Sequence, residues 1–266
     1  MECNQLVFYI LTGCTHNCRL CVAGVPYYRA QKRSYTARLS DVQFEIDTAF
    51  QLFSYVKLIT VTGGEPLLHP QLLEVLSYIM SYRNRFGECR IFTNGSILPS
   101  EALIQLSKES GGKIAFVVDD YGEKLSPYTK EIQSKTGCRV NQYYGDSQHF
   151  SGWVDYGPLD QKHDYSYEDA YQVISKCHFT DWKMYNIFQG KLFYCTRAAI
   201  GMDLGYFELN QDDFLNLRDK TLSVEEMRSK ILQLGSKPTK ACYYCTGFDT
   251  KNSVRYPAAE QVEEIK

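Results

Sequence analysis

The sequence predicts an α/β protein: a partial (β/α)6 TIM-like barrel with a small C-terminal α+β domain. Three observations carry this reading. Through about residue 143, short apolar stretches rich in β-branched residues alternate with stretches of helical period, the pattern of a parallel sheet with crossover helices. Five such units fill that segment, too few to close a ring of eight. After about residue 165 the alternation stops, and four of the ten cysteines follow. The barrel core is therefore expected over residues 1–165 and the smaller unit over residues 166–266.

Leu6–Thr12, apolar and aromatic-rich, reads as the first strand. Val42, Ile46, Ala49, Phe50 and Phe53 recur at helical spacing behind Ser40, a capping residue type. Val56–Thr62 is the second strand. Pro70 is expected to open a helix with Leu72, Leu76 and Ile79 on its apolar face, ended by Gly87. Strand Arg90–Thr93, helix Ser100–Ser110, strand Lys113–Val118, a helix near Ser126–Lys135 and strand Arg139–Tyr143 continue the pattern, and a sixth strand is read near Trp153–Tyr156. In the second unit a helix with Ser166 near its start runs into Cys177. Trp182–Phe188 and Lys191–Tyr194 flank Gln189-Gly190 and read as a hairpin. Ser223 and Glu226 form a capping box before a further helix, and Pro238 precedes Cys242.

A net charge of −2 offers no basic footprint for nucleic acid. The first apolar run, Leu6–Leu11, is too short to span a bilayer and follows no basic segment, so a cytoplasmic chain without a membrane partner is expected. Thiols stay reduced in that compartment, where clustered cysteines bind metal more often than they pair.

Seven cysteines form two groups. Cys14, Cys18 and Cys21 follow the first strand with spacing CxxxCxxC. A loop can wrap three thiolates around a four-iron cube, leaving one iron open for catalysis. A zinc site with a distant fourth ligand, or chance buried thiols, are the competing readings. Gly63-Gly64-Glu65-Pro66 closes the second strand, and paired glycines there let backbone approach a ligand with no Cβ in the way. An ordinary turn explains the glycines alone.

Together these segments resemble the radical S-adenosylmethionine (SAM) superfamily. The resemblance implies a [4Fe-4S] cluster on Cys14, Cys18 and Cys21 whose open iron takes the methionine end of SAM, with Gly63, Gly64, Glu65 and Pro66 beside the methionine amino group. It implies cleavage of SAM to a 5′-deoxyadenosyl radical that takes hydrogen from substrate. Thr93 and Asn94, and likewise Asp119 and Asp120, stand where such enzymes contact SAM. Leu20, just before the third cysteine, departs from the usual aromatic residue.

Cys177, Cys195, Cys242 and Cys245 form the second group; their spacing alone fits zinc and a four-iron cluster equally. The order of cysteine, hairpin, cysteine, helix and CxxC is similar to the twitch version of the SPASM domain. That implies an auxiliary [4Fe-4S] cluster, fully ligated and suited to electron transfer. Length and layout are most similar to the aminocyclitol-dehydrogenase branch of these enzymes.

The resemblance implies an oxidoreductase acting on a small polar substrate such as a sugar or aminocyclitol, with a flavodoxin or ferredoxin as electron donor. Cys3, Cys89 and Cys138 fall at strand starts, away from the end where barrels place chemistry, which favours oxidation over epimerisation by a thiol donor. Modification of a short peptide segment is the alternative; against it, the barrel begins almost at residue 1, leaving no preceding recognition domain. A non-catalytic zinc or iron–sulfur protein is the third reading. Tyr27, Tyr28, Arg29, Lys32 and Arg33 read as a solvated basic loop or a substrate-anion contact, and Asn141, Tyr143, His149 and Asp155 as pocket candidates.

Overall fold

The computed structural model describes residues 1–146, 149–249 and 251–263. The first half alternates as expected: β1 (Glu2–Leu11), α1 (Val25–Ala30), α2 (Leu39–Leu52), β2 (Tyr55–Gly63), α3 (Leu72–Met80), β3 (Phe86–Thr93), α4 (Glu101–Glu109), β4 (Ile114–Asp120), α5 (Thr129–Thr136) and β5 (Arg139–Gln142). Then follow β6 (Trp153–Val154), α6 (Tyr167–Ser175), α7 (His178–Asp181), β7 (Met184–Phe188), β8 (Lys191–Phe193), α8 (Thr196–Asp203), β9 (Leu215–Asn216), α9 (Val224–Gln233) and β10 (Arg255–Tyr256). No helix among the described residues is long and apolar enough to cross a membrane.

The main sheet runs β5-β4-β3-β2-β1-β7-β8-β9, and its first six members are parallel neighbours. Six parallel strands make the partial barrel, but the sixth is β7, not the stretch near Trp153. That stretch, β6, pairs antiparallel with β10 in a separate two-stranded ribbon. Its two residues are too short to span the barrel wall, whereas β7 offers Tyr185–Phe188 buried on both faces, the mark of an interior parallel strand. The hairpin after β7 is as expected. Gln189 (φ 51°) and Gly190 (φ 73°) both take positive φ, the geometry of a two-residue type I′ turn.

Packing explains the boundaries that sequence missed. The helix α2 has Arg38 rather than Ser40 at its N-cap, with no side-chain cap; its buried Val42, Ile46, Ala49 and Phe50 hold it against the sheet instead. The helix α3 begins after Pro70, at Leu72, and ends at Met80. Gly87 lies inside β3, where a Cβ would stand 2.4 Å from the Lys57 carbonyl oxygen. Ser100, Ser166 and Ser223 each cap a helix through a main-chain N–H, the latter two in complete capping boxes.

Two apolar clusters result. One fills the space between sheet and outer helices and contains Leu6, Phe8, Ile59 and Phe116. The other, built on Val7, Tyr9, Phe188 and Phe193, holds Cys177, Cys195 and Cys242. Alternation along β1 serves both: Leu6, Phe8 and Ile10 face the first cluster, Val7 and Tyr9 the second.

Candidate functional site

The C-terminal ends of β1 to β5 deliver their loops to one rim of the barrel, so residues remote in sequence meet there. Cys14, Cys18 and Cys21 occupy the loop after β1. The Cys14 thiol is raised to about 11 and Cys18 to about 12, chiefly by burial and in part by Cys21, which places the three within electrostatic reach. Donors already point at the sulfurs: His16 N–H at Cys14 Sγ (3.4 Å), Asn94 Nδ2 at Cys14 Sγ (3.6 Å) and Gln261 Nε2 at Cys18 Sγ (3.2 Å). Such N–H···S bonds stabilise thiolate ligands.

Residues 260–262 clamp this loop from far along the chain. Asn17 N–H donates to Gln261 Oε1 (2.8 Å), Arg19 N–H to the Glu260 carbonyl (2.8 Å) and Val262 N–H to the Asn17 carbonyl (2.9 Å). Nothing in the sequence pattern signalled that contact, because it depends on a short bridge rather than on a periodic element.

The glycines at the end of β2 pack directly against the backbone that follows β1. A Cβ on Gly63 would stand 2.1 Å from the Leu11 carbonyl oxygen, and one on Gly64 1.9 Å from that of Gly13. The end of β1 itself requires them. Gly64 N–H donates to Leu11 O (3.0 Å) and Glu65 N–H to Gly13 O (2.8 Å), fixing the entry to the cysteine loop. The Glu65 side chain, fully buried, accepts from Leu67 N–H (3.0 Å) and Asn94 N–H (2.8 Å), knitting the ends of β2 and β3. Buried Pro66 opens a single 3-10 turn. Thr93 Oγ1 accepts from Gly95 N–H, and Asn94 also reaches Thr15 Oγ1 (2.9 Å).

The two aspartates after β4 part company. Asp119 lines a cavity of about 300 Å³ with Thr62, Gly63, Cys21, Tyr121 and Tyr143. Burial raises its carboxyl to about 6 against the hydrogen bond from Asn141 Nδ2 (2.8 Å). Asp120 is absent from that wall; it accepts from Gly122 N–H (2.9 Å) and the Tyr144 hydroxyl (3.3 Å). Of the pocket candidates, Tyr143 lines the cavity, Asn141 orients Asp119, and His149 packs edge-on to Tyr143 (5.4 Å).

A second, larger cavity of about 790 Å³ adjoins the first, since Leu20, Cys21 and Tyr156 line both. Its wall carries Asp155, Asp160, Arg19, Tyr27 and Arg197. The basic segment after the cysteine loop mostly serves the fold. Tyr28 donates to Asp203 Oδ2 (2.7 Å), Arg33 pairs with the same carboxylate (3.3 Å), and Arg29 donates to the Cys14 carbonyl (2.6 Å).

Cys177, Cys195, Cys242 and Cys245 all line one apolar cavity, walled by Ile174, Phe179, Tyr194 and Phe248. Cys177 and Cys195 are the N-cap residues of α7 and α8, and both line this cavity. Ala198 N–H donates to Cys195 Sγ (3.3 Å), Gly247 N–H to Cys245 Sγ (3.3 Å), and the Tyr194 hydroxyl lies 3.2 Å from Cys242 Sγ. Burial raises Cys177 to about 11 and Cys195 well above its ordinary range. Burial also raises Cys245, opposed by the nearby Arg197 charge. Tyr156 lines this cavity as well as the two open ones, and Tyr9 feels both Cys21 and Cys195.

Among the described residues no three His, Cys, Asp or Glu side chains gather around a point fit for a single metal ion. The donor sets themselves are three and four cysteine sulfurs with N–H groups directed at several of them, soft thiolates of the kind that bind zinc or an iron–sulfur cluster. Cys3, Cys89 and Cys138 are all buried in the first apolar cluster.

Residues 8–139 match the Radical SAM superfamily. No curated protein sequence matches the chain. Among solved structures, BtrN in complex with AdoMet and 2-DOIA shares 16% identity over 97% of this chain and 99% of its own, with a TM-score of 0.53. Native anSMEcpe with bound AdoMet shares 12% identity over 91% of this chain and 83% of its own, at a TM-score of 0.52. Streptococcus suis SuiB bound to precursor peptide SuiA shares 18% identity over 55% of this chain, at a TM-score of 0.43; the chain covers 34% of SuiB.

Proposed function

We propose that this chain, whose residues 8–139 form a radical SAM domain, is an oxidoreductase that dehydrogenates a small polar substrate with consumption of SAM. One observation carries the reading: the 790 Å³ cavity has Cys21 on one wall and meets the four-cysteine cavity at Tyr156 and Arg197. A substrate bound there lies between two sulfur sets. When loaded, a cluster on Cys14, Cys18 and Cys21 supplies the electron that splits SAM, and a cluster on the other four cysteines supplies an acceptor for an electron from the substrate. The substrate gives a hydrogen atom to the 5′-deoxyadenosyl radical, an electron to that acceptor and a proton to a carboxylate of the cavity wall, two electrons and two protons in all, leaving a ketone or imine.

This chain's own residues do the holding. Gly63 and Asp119 line the smaller cavity beside Cys21, a setting suited to the polar end of SAM. Asp155, Asp160 and Tyr27 give the larger cavity oxygen groups that suit hydroxyl or amine substituents. A carboxylate-lined wall of this kind favours such a substrate over a phosphorylated one. The size and polarity of the wall also fit a sugar or aminocyclitol, and 2-DOIA is bound beside AdoMet in BtrN, whose fold is similar over 97% of this chain. A flavodoxin or ferredoxin is the electron donor that completes the scheme.

Anaerobic reconstitution tests it. The protein is expected to hold about eight iron per chain. Replacing Cys14, Cys18 and Cys21 by Ala abolishes reductive SAM cleavage. Replacing Cys242 and Cys245 by Ala leaves SAM cleavage measurable and removes oxidised product. Normal product formation by the second variant refutes the acceptor role, and a colourless, zinc-loaded protein refutes the reading as a whole.

A further inference from the structure

Arg197, the second residue of α8, is a buried cation with no acid beside it. The residue is 8% exposed, and no carboxylate among the described residues lies within ion-pair distance. Nη2 donates to the carbonyls of Gly157 (3.0 Å) and Tyr244 (2.6 Å), the guanidinium lies 5.8 Å from the centre of the Tyr156 ring, and buried Nε has no hydrogen-bond partner among the described residues. Carbonyl dipoles orient a guanidinium but leave its charge uncompensated, and an unpaired charge in a protein interior is strongly unfavourable. Something negative belongs next to it.

Two sources border the side chain, because Arg197 lines both the large cavity and the four-cysteine cavity. An anionic substrate is disfavoured, since Asp155, Asp160 and Glu263 already give the large cavity an acidic wall. The other neighbour is the thiol set itself. Tyr244, whose carbonyl grips Nη2, sits between Cys242 and Cys245, so the guanidinium is clamped to the loop that bears two of the sulfurs.

We propose that Arg197 is the counter-charge of the second thiol set and raises the reduction potential of the cluster bound there, making it a better acceptor for an electron from the neighbouring cavity. The inference rests on the auxiliary cluster of the proposed function. Its physical basis is charge: a cluster held by four thiolates is anionic, one-electron reduction adds a further negative charge, and a fixed cation close by stabilises the reduced form. Arg197 is thus a positioning residue, acting on the substrate through the cluster.

The test is a dithionite titration of the anaerobically reconstituted full chain, followed by electron paramagnetic resonance, in wild type, Arg197→Met and Arg197→Lys, each with iron counted. Removing the charge is expected to lower the midpoint of the second cluster by at least the equivalent of a tenfold change in the reduced-to-oxidised ratio, about 59 mV for a one-electron couple. Arg197→Lys stays closer to wild type. Loss of the second cluster's iron in Arg197→Met alone, with Arg197→Lys fully loaded, also supports a counter-charge. An unchanged midpoint in a fully loaded Arg197→Met overturns the proposal. So does equal iron loss in both variants, which marks a purely structural hydrogen-bonding role. Wild type with only about four iron overturns the auxiliary cluster and the inference built on it together.

Discussion

Replacing Gly64 by Ala tests why the glycine pair is there. A Cβ at this position would sit 1.9 Å from the Gly13 carbonyl oxygen, 2.5 Å from its carbon and 2.9 Å from Thr12 O. All three are backbone atoms, so no rotamer change relieves the overlap. The end of β1 and the start of the cysteine loop must separate, and the bonds Gly64 N–H to Leu11 O (3.0 Å) and Glu65 N–H to Gly13 O (2.8 Å) stretch with them. Forced overpacking costs about 1–3 kcal/mol, and each strained main-chain bond adds about 1 kcal/mol. A loss of about 4 kcal/mol is expected, which lowers the melting temperature by roughly 8–16 °C for a chain of this size. Gly13→Ala is the control, because a Cβ there meets nothing within 4 Å; it should change stability by no more than about 0.5 kcal/mol. Both are measured by urea denaturation of the apo protein, without reference to bound SAM. If Gly64→Ala unfolds with wild type while losing SAM affinity, the glycine serves the ligand and the steric account is wrong.

Two further outcomes follow from a buried carboxyl and from the strap on the cysteine loop. Glu45, which accepts a hydrogen bond from Gly190 N–H, has its carboxyl raised from 4.5 to about 7, chiefly by burial. The folded state therefore binds this proton more tightly than the unfolded state, so its contribution is complete below about pH 4.5 and is lost as pH rises through about 7. Wild type should lose up to about 3 kcal/mol between pH 5 and pH 8 that Glu45→Gln retains, read from urea midpoints; parallel pH dependences would count against it. Gln261→Ala removes the donor to Cys18 Sγ and the acceptor of Asn17 N–H. It should cost about 1–2 kcal/mol of global stability yet release iron from the first cysteine set to a chelator several-fold faster than wild type. Unchanged release would show that the clamp does not hold the loop.

Most of the parallel sheet was legible because its strands are continuous β-branched runs and its helices carry one apolar stripe each, signals that depend on neighbours close in sequence. The misplaced sixth strand shows the limit. Trp153–Val154 and Met184–Phe188 are both short and apolar, and only the free edge of β1, which accepts β7 in parallel register, decides between them. Gly87 misled for a related reason: a glycine after a helical stretch signals a stop, but here Lys57 O presses against the strand. At the site, cysteine spacing announced both thiol groups, since their chemistry demands a particular residue type. Arg197, Tyr156 and Gln261 were invisible, because an arginine, a tyrosine or a glutamine carries no such signature until the fold brings it beside a sulfur.

The bridge from Cys18 to Gln261 imposes an order on maturation. During synthesis the β1 loop emerges more than two hundred residues ahead of the strip that fastens it. For that whole interval the loop lacks its fastening; once residues 260–262 dock, Gln261 holds the Cys18 sulfur and the loop's main chain is tied in place. Loading before docking would thus meet a free loop, and loading after it a loop already fastened at Cys18.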